Sequence, residues 1–311
     1  MYKLNRVSVI IPTHNRAARL RRAITSAKES ASDVEVIVVD DASSDNTREV
    51  CRDFDYVRYI RFDENRRTAA ARNAGIEAAT GEYLAFLDDD DIRIPGTLQK
   101  QLELLDLNPD AGLAYGQYLN CDQNGTLLNM PPFPEICEEG DVFWRLLRPE
   151  GLIGNSTFVV RKSVVDIVGT QDTSERMYGV EDWDFLIRIA ACFPVVALHE
   201  PVALYRLADV SSDQWCSRAE EQYVRVIFAF RNKWLKLPKA ISERTADELQ
   251  QMEKEITDHY AEMLLLKVTE AKDHSEKIRR LRMALRVKPR LIQSTYFYKV
   301  AVRNLVLGTS N

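Results

Sequence analysis

Four consecutive aspartates, Asp88-Asp89-Asp90-Asp91, follow directly on the apolar run Glu82–Leu87. Like charges at this density repel, so a folded site built on them should hold something cationic. All-oxygen donors suit hard cations, and Mg²⁺ or Mn²⁺ commonly takes one or two carboxylates plus substrate phosphates. Read alone, the same run serves equally as a solvated acidic turn ahead of a helix, since acidic residues favour helix N-termini. A second pair, Asp40-Asp41, ends the run Val34–Val39 and could accept N–H or O–H donors from a base or ribose. A third group, Glu181-Asp182-Trp183-Asp184, stands just before the helical pattern Phe185–Ala191. It reads as a helix cap or, if the fold brings it opposite Asp88, as a proton acceptor. Arg16, Arg66, Arg67 and Arg72 lie near the same strand ends, and guanidinium binds phosphate bidentately. Each of them, read singly, is a residue of a solvated helix face. The chain has neither G-x-x-x-x-G-K-[ST] nor G-x-G-x-x-G, which removes the main support for a P-loop or a Rossmann cofactor site.

These residues are placed by short apolar runs that alternate with amphipathic stretches. Val7–Ile11, Val34–Val39, Tyr56–Arg61 and Glu82–Leu87 read as strands. A helical pattern runs to about Ser30, a helix from about Asn46 is capped by Ser43-Ser44-Asp45, and an Ala-rich helix spans Arg66–Thr80. Pro95 is read as opening a helix through about Leu105. Strands alternating with such helices imply βαβ units and a parallel sheet, whose ligands bind outside the carboxyl ends of the strands. Pro12-Thr13-His14-Asn15, Asp40-Asp41 and Asp88–Asp91 all fall at such ends.

Beyond Gly112 the pattern is less regular. Gly112–Tyr118 and Leu127–Asn129 flank an Asn124-Gly125 turn, and Ser156–Val160 and Leu198–Tyr205 read as further strands. After about Ser217 the chain turns helical, over Tyr223–Trp234, Ala246–Thr269, Glu276–Val287 and a last stretch through Leu307, with Leu237-Pro238 the best internal boundary. Of the 311 residues, 45% are hydrophobic and 29% charged, an ordinary soluble composition. The formal charge of −5 excludes a basic nucleic-acid binder. Five scattered cysteines without a C-x-x-C pair favour reduced thiols in a cytosolic protein, and four histidines argue against a His-rich metal centre. No apolar run approaches the ~18 residues of a membrane span, and the N-terminus enters a strand too soon for a signal peptide. From Lys277 to Arg303 there are nine basic residues, no acidic ones, and Tyr296, Phe297 and Tyr298 among them. Such a segment either lies on an anionic membrane surface or belongs to a helical subdomain that exposes its charges.

Taken together, the motifs resemble the family 2 inverting glycosyltransferases with the GT-A fold. Val7–Arg16 looks like that family's opening strand and nucleotide loop, and Val36–Asp41 with Ala42-Ser43-Ser44-Asp45-Asn46-Thr47 is similar to its VVDD-S-S-D-T segment. Asn65 through Gly75 matches N-x-G-x-x-x-A-R-N-x-G, with Arg67 in place of the usual glycine. Gly81–Asp91 resembles the strand bearing the D-x-D motif, and Glu181-Asp182 the acceptor-side E-D motif. The resemblance spans about residues 6–206. Departures are Gly169-Thr170-Gln171-Asp172 in place of G-G-F-D, and Tyr205-Arg206-Leu207-Ala208 without the histidine that often follows Y-R. There is no Q-x-x-R-W motif, which argues against a processive synthase.

The resemblance implies an α/β GT-A fold, a mixed and mainly parallel sheet flanked by helices, with a C-terminal helical extension. It divides the chain into a catalytic domain over 1–215 and an extension over 216–311. Residues 1–110 would be the nucleotide-sugar-binding half and 111–215 the acceptor-side half. Pro12, Thr13 and Asn15 would line the base pocket, with Arg16 beside them. Asp41, or Asp40, would hydrogen-bond the base, and Arg72 would lie near the diphosphate. Asp88 would contact ribose or sugar with help from Asp89, and Asp90, with Asp88, would bind Mn²⁺ or Mg²⁺. Asp182 would be the general base, supported by Glu181. The donor is expected to be a nucleotide-diphosphate sugar, a UDP-sugar first, and the acceptor a glycan, a lipid-linked or a small molecule, in cell-surface or secreted glycan synthesis. No nucleic acid partner is expected. A homodimer, and peripheral contact of a cytoplasmic enzyme with the inner face of the membrane through its basic helices, stay open. The competing readings are a nucleotidyltransferase acting on a sugar phosphate and a non-catalytic nucleotide-sugar-binding protein.

Overall fold

A computed structural model describes residues 6–149, 151–207, 219–271 and 273–301, except for the side chains of Ala219 and Tyr296. Within these residues the chain forms two compact units. The first runs to Ser174 and resumes over residues 181–207; the second joins Glu175–Val180 to the helices from residue 219 onward. Residues 175–180 thus pack with the C-terminal helices, although they lie inside the span assigned to the acceptor-side half. Leu237-Pro238 marks no division between units.

The first unit is built on one eight-stranded sheet. Its elements in chain order are β1 (Val7–Thr13), α1 (Ala17–Glu29), β2 (Val34–Asp40), α2 (Thr47–Arg52), β3 (Val57–Arg61), α3 (Arg67–Ala78), β4 (Tyr83–Phe86), β5 (Ile92–Arg93), α4 (Thr97–Leu107) and β6 (Leu113–Cys121). They continue with α5 (Phe143–Leu146), β7 (Phe158–Arg161), α6 (Lys162–Val168), α7 (Glu181–Ala190) and β8 (Val195–Arg206). The strand order is β3-β2-β1-β4-β7-β6-β8-β5. β3, β2, β1 and β4 are parallel, β7 runs antiparallel between β4 and β6, and β6 and β8 are again parallel.

β1, β2 and β4 are covered on both faces, which is why they read as continuous apolar runs rather than alternating ones. The core packs Leu20, Ile24 and Leu98 from the helices against Val9, Val36 and Ala85. On the other face α3 lies very close to β1: a Cβ at Gly75 would meet Ile10 Cγ2 at 2.3 Å. That close approach fixes Arg72, one turn earlier on the same helix, over the carboxyl end of the sheet.

Three local expectations are corrected. Pro95 does not open α4, because Gly96, with φ 72°, is the N-cap and the helix begins at Thr97. Leu127 forms only an isolated bridge to Cys121, not a strand. The helix expected from Phe185 starts earlier, at Glu181, so the acidic group lies within its first turn.

The second unit contains α8 (Ala219–Asn232), α9 (Pro238–Glu243), α10 (Ala246–Thr269), α11 (His274–Val287) and α12 (Thr295–Ala301). A capping box between Thr245 and Glu248 starts α10, and Trp234, Phe230, Leu264 and Ala284 form the interior. Of the nine basic residues, Arg279 and Arg280 pair with the buried Glu220, and Lys288 pairs with Asp258. Arg303, like the expected end of the last helix and Cys216, lies outside the described residues.

Candidate active site

β4 ends at Phe86, and the chain bends through Asp88–Asp91 into β5. Ser156, next to β7, stitches this bend: its Oγ accepts from the Asp88 amide at 3.1 Å and donates to Asp91 Oδ2 at 2.6 Å. The Arg206 amide, at the end of β8, donates to Asp91 Oδ1 at 3.1 Å. Thr13, at the end of β1, donates to Asp89 Oδ2 at 2.7 Å. Asp89 also accepts from Arg16 Nη1 at 3.1 Å, and the same nitrogen reaches Asp90 Oδ2 at 2.6 Å, with Arg19 at 3.5 Å. The side chains of Asp88 and Asp90 are 32% and 19% exposed, against 6% for Asp89. Only the first and third aspartates therefore open onto the surface, while Asp89 and Asp91 hold the turn together.

Arg72 is buried and donates from Nη2 to Asp88 Oδ1 at 2.7 Å. Asn155 Nδ2 donates to the same oxygen at 3.1 Å, and Arg72 Nη1 reaches Gln171 Oε1 at 3.4 Å. Burial alone would weaken the charge of Arg72, but the fields of Asp88, Asp182 and Glu181 outweigh it and push its pKa up. Asp88 thus bonds this cation, and the Glu181-Asp182 pair acts on it through its field. α7 is held in place by Trp183, whose Nε1 donates to the Leu146 carbonyl at 2.6 Å, and by Arg188. Arg188 pairs with Asp184 at 2.9 Å and donates to the Thr170 carbonyl at 2.8 Å. Asp184 is fully buried in that pair and serves the helix.

Burial dominates the electrostatics of the cluster. Burial lifts Asp89 to about 6, with Asp90 adding to the effect and Arg16 opposing it. Asp90 and Asp182 are likewise raised by burial, opposed by Arg16 and Arg72 respectively, and Asp91 is raised further by burial and the charges of Asp88 and Asp90.

The β2 end is arranged differently. Asp40 is buried and accepts from the Ser43 amide at 2.8 Å, from Arg61 at 2.7 Å and from the Tyr59 hydroxyl at 2.5 Å. Burial would raise its pKa, but the hydrogen bonds from Ser43 and Tyr59, with Arg61, bring it below the usual range. Asp40 therefore presents no oxygen to a ligand, which corrects its expected contact with a base. Asp41 accepts from the Arg66 and Arg67 amides at 2.6 and 2.8 Å, anchoring the start of α3. Three non-glycine residues with positive φ surround it: Asn15 (55°), Ala42 (62°) and Arg67 (71°). The left-handed backbone at Arg67 gives a physical reason for glycine at that position of the motif. Asn15 accepts from the Ser44 amide at 2.7 Å, and His14 donates from Nδ1 to the Asp41 carbonyl at 2.6 Å. Pro12 and Thr13 are buried, and the Thr13 hydroxyl is engaged by Asp89, so the exposed members of this loop are His14 and Asn15.

The sequence model described as Glycosyl transferase family 2 matches residues 8–166, just over half of the chain. The chain belongs to glycosyl transferase family 2. This glycosyltransferase is 27% identical over 226 residues to the putative teichuronic acid biosynthesis glycosyltransferase TuaG of Bacillus subtilis, covering 70% of this chain and 86% of TuaG. Its fold is that of GT-A enzymes. The structure of S. aureus TarS 1-349 in complex with UDP-GlcNAc superposes with a TM-score of 0.63 at 17% identity, covering 96% of this chain and 89% of that one. The mannosyltransferase PcManGT from Pyrobaculum calidifontis, in complex with GDP-Man and Mn²⁺, gives 0.58 at 19% identity, covering 98% and 88%. Among the described residues of the glycosyltransferase, no helix is long and apolar enough to cross a membrane.

The residues present fit a hard divalent cation held jointly with phosphate oxygens. Asp88 and Asp90 are the two accessible carboxylates of the run, one paired with Arg72 and the other with Arg16 and Arg19. Two residues that touch Asp88 and Arg72 in this glycosyltransferase escaped the motifs. Asn155 carries no pattern in the sequence. Gln171 was visible only as a departure from G-G-F-D, yet it buries its amide against Arg72 and exchanges hydrogen bonds of 2.8 and 2.9 Å between its main chain and the Asn73 side chain.

Proposed function

We propose that this glycosyltransferase moves a sugar from a nucleotide-diphosphate donor, a UDP-sugar first, to an acceptor hydroxyl with inversion, in the synthesis of a cell-surface or secreted glycan. The observation that supports it is the buried Arg72, bonded to Asp88 and held charged also by the fields of Asp182 and Glu181. The nucleotide would lie against the Asn15 and Asp41 loops, with its diphosphate toward Arg72. Mn²⁺ or Mg²⁺ would be held by Asp90 and Asp88 and would neutralise charge on the departing diphosphate. Asp88, clamped at Oδ1 by Arg72 and Asn155, keeps its other oxygen for the donor. Asp182 takes the proton of the acceptor hydroxyl as that oxygen attacks the anomeric carbon from the side opposite the leaving group. Glu181 helps to hold Arg72 beside it. The raised pKa of Asp182 makes it a stronger base than an ordinary carboxylate.

In this reading the span 1–110 serves the donor and 111–215 the acceptor, and the protein works in the cytoplasm. A panel of nucleotide sugars incubated with the protein and Mn²⁺, read by the nucleotide released, tests the proposal. Release of nucleoside diphosphate is expected. Release of pyrophosphate would indicate nucleotidyl transfer, and absence of both binding and turnover across the panel would sink the enzymatic reading.

A further inference from the structure

Gln171 is a buried polar residue in a place that an apolar one would fill at lower cost. It is 3% exposed, and its amide makes a single hydrogen bond among the described residues, Oε1 accepting from Arg72 Nη1 at 3.4 Å. The amide nitrogen Nε2 is buried without a partner. Taking an amide out of water and leaving half of it unmatched costs free energy. Phenylalanine, which G-G-F-D places at this position, would not incur that cost. A buried polar group of this kind calls for a reason other than packing.

The main chain, not the amide, fixes Gln171. Its N–H donates to Asn73 Oδ1 at 2.9 Å, and its carbonyl accepts from Asn73 Nδ2 at 2.8 Å. Asn73 follows Arg72 on α3. The three preceding residues are held from α7. Arg188 donates to the carbonyls of Val168 at 2.5 Å, Gly169 at 3.3 Å and Thr170 at 2.8 Å, while its Nε pairs with Asp184. Residues 168–171 are therefore a strap, tied at one end to the helix that carries Arg72 and along the rest to the helix that carries Glu181 and Asp182. The amide is brought up to the guanidinium by bonds that it does not make itself. Being neutral, it accepts from Nη1 without cancelling the charge of Arg72, whose other bonded acceptor is Asp88.

We infer that Gln171 is a positioning residue for the transfer reaction: delivered by the strap, its amide orients the Arg72 guanidinium for the donor diphosphate and leaves its charge whole. The inference rests on the reading above that puts the diphosphate at Arg72. Two variants of the full chain test it. Gln171→Met keeps the shape and removes the acceptor, whereas Gln171→Glu keeps an acceptor and adds a charge. Binding of the nucleoside diphosphate that the donor panel selects is measured by calorimetry with Mn²⁺. Gln171→Met should weaken it about 5-fold, and Gln171→Glu at least ~10-fold, because a carboxylate there takes up the charge that the diphosphate needs. The acceptor KM should stay at the wild-type value in both. A glutamine that merely props up its surroundings would give the reverse order, since glutamate makes the stronger, charge-assisted bond to arginine. In the Arg72→Lys background, Gln171→Met should cost less than ~2-fold further, as expected of residues that act through one another. Wild-type affinity in Gln171→Met, affinity at or above wild type in Gln171→Glu, or an undiminished loss from Gln171→Met in the Arg72→Lys background would each overturn the inference. Where a variant melts lower, the calorimetric stoichiometry gives the folded fraction, and the affinity is that of this fraction. Arg72→Lys alone separates the two readings. Wild-type affinity in that variant removes the diphosphate from Arg72, whereas a loss there beside unaffected Gln171 variants removes this inference alone.

Discussion

Asp40-Asp41 and Asp88–Asp91 occupy equivalent places, at the carboxyl ends of two parallel strands that flank β1 in one sheet. Their surroundings differ. Asp40 receives a guanidinium, a phenol and an amide and is stabilised as an anion, and Asp41 receives two amides. Asp89, Asp90 and Asp91 crowd together, and burial raises all three although Arg16 opposes it at Asp89 and Asp90. The first pair is complete within the protein, whereas the second cluster leaves Asp88 and Asp90 open to the surface. A carboxylate at a strand end is therefore a structural or a functional group according to the donors that other segments bring to it.

The largest test of this contrast is metal withdrawal. EDTA, or Asp90→Ala, should lower turnover by at least ~10³-fold, whereas Asp40→Asn should leave the turnover of the folded fraction near wild type. Undiminished activity in EDTA would remove the metal from the proposal. Next, Asp182→Asn should reduce transfer by ~10²–10⁴-fold with donor affinity by calorimetry nearly unchanged. If donor binding falls together with rate, Asp182 belongs to the donor side instead. The third test reads stability by chemical denaturation. Asp40→Asn should destabilise the protein by about 2–3 kcal/mol, because buried donors lose an anionic acceptor. Asp90→Asn should stabilise the ligand-free protein by up to ~1 kcal/mol, because it removes a charge that burial disfavours. Two changes of the same sign would erase the distinction between the clusters. The smallest effect is expected at Arg67→Gly, a gain of up to ~1 kcal/mol from relieving the left-handed backbone, with the hydrogen bonds to Asp41 retained.

The strands around β1 were legible because burial on both faces forces long apolar runs, and nearly every boundary there falls within two residues of the sequence reading. The 122–136 segment was not, since the Asn124-Gly125 turn suggests a hairpin while the sheet accepts only single bridges from Leu127 and Phe133. The site was legible as a set of acidic groups at strand ends. What the sequence could not separate was Asp40 from Asp90, because their partners are remote in the chain: Tyr59 and Arg61 for one, Arg16 and Arg19 for the other. Asn155 was invisible for the same reason, since its meaning lies in a contact with Asp88, 67 residues away.

β4 is paired in parallel with β1 on one edge and antiparallel with β7 on the other. The aspartates at its end therefore sit on a seam between two differently built halves of the sheet. On one side Thr13 and Arg16 grip them from the β1 loop; on the other Asn155 and Ser156 grip them from the segment entering β7. Swapping the segments beyond the seam between relatives would alter what reaches Asp88 while leaving the β1 grip intact. For an engineer seeking new sugar or acceptor preferences, that makes the cut between Phe86 and Phe158 a recombination site, with Asn155, Ser156 and Gln171 the residues to carry across together.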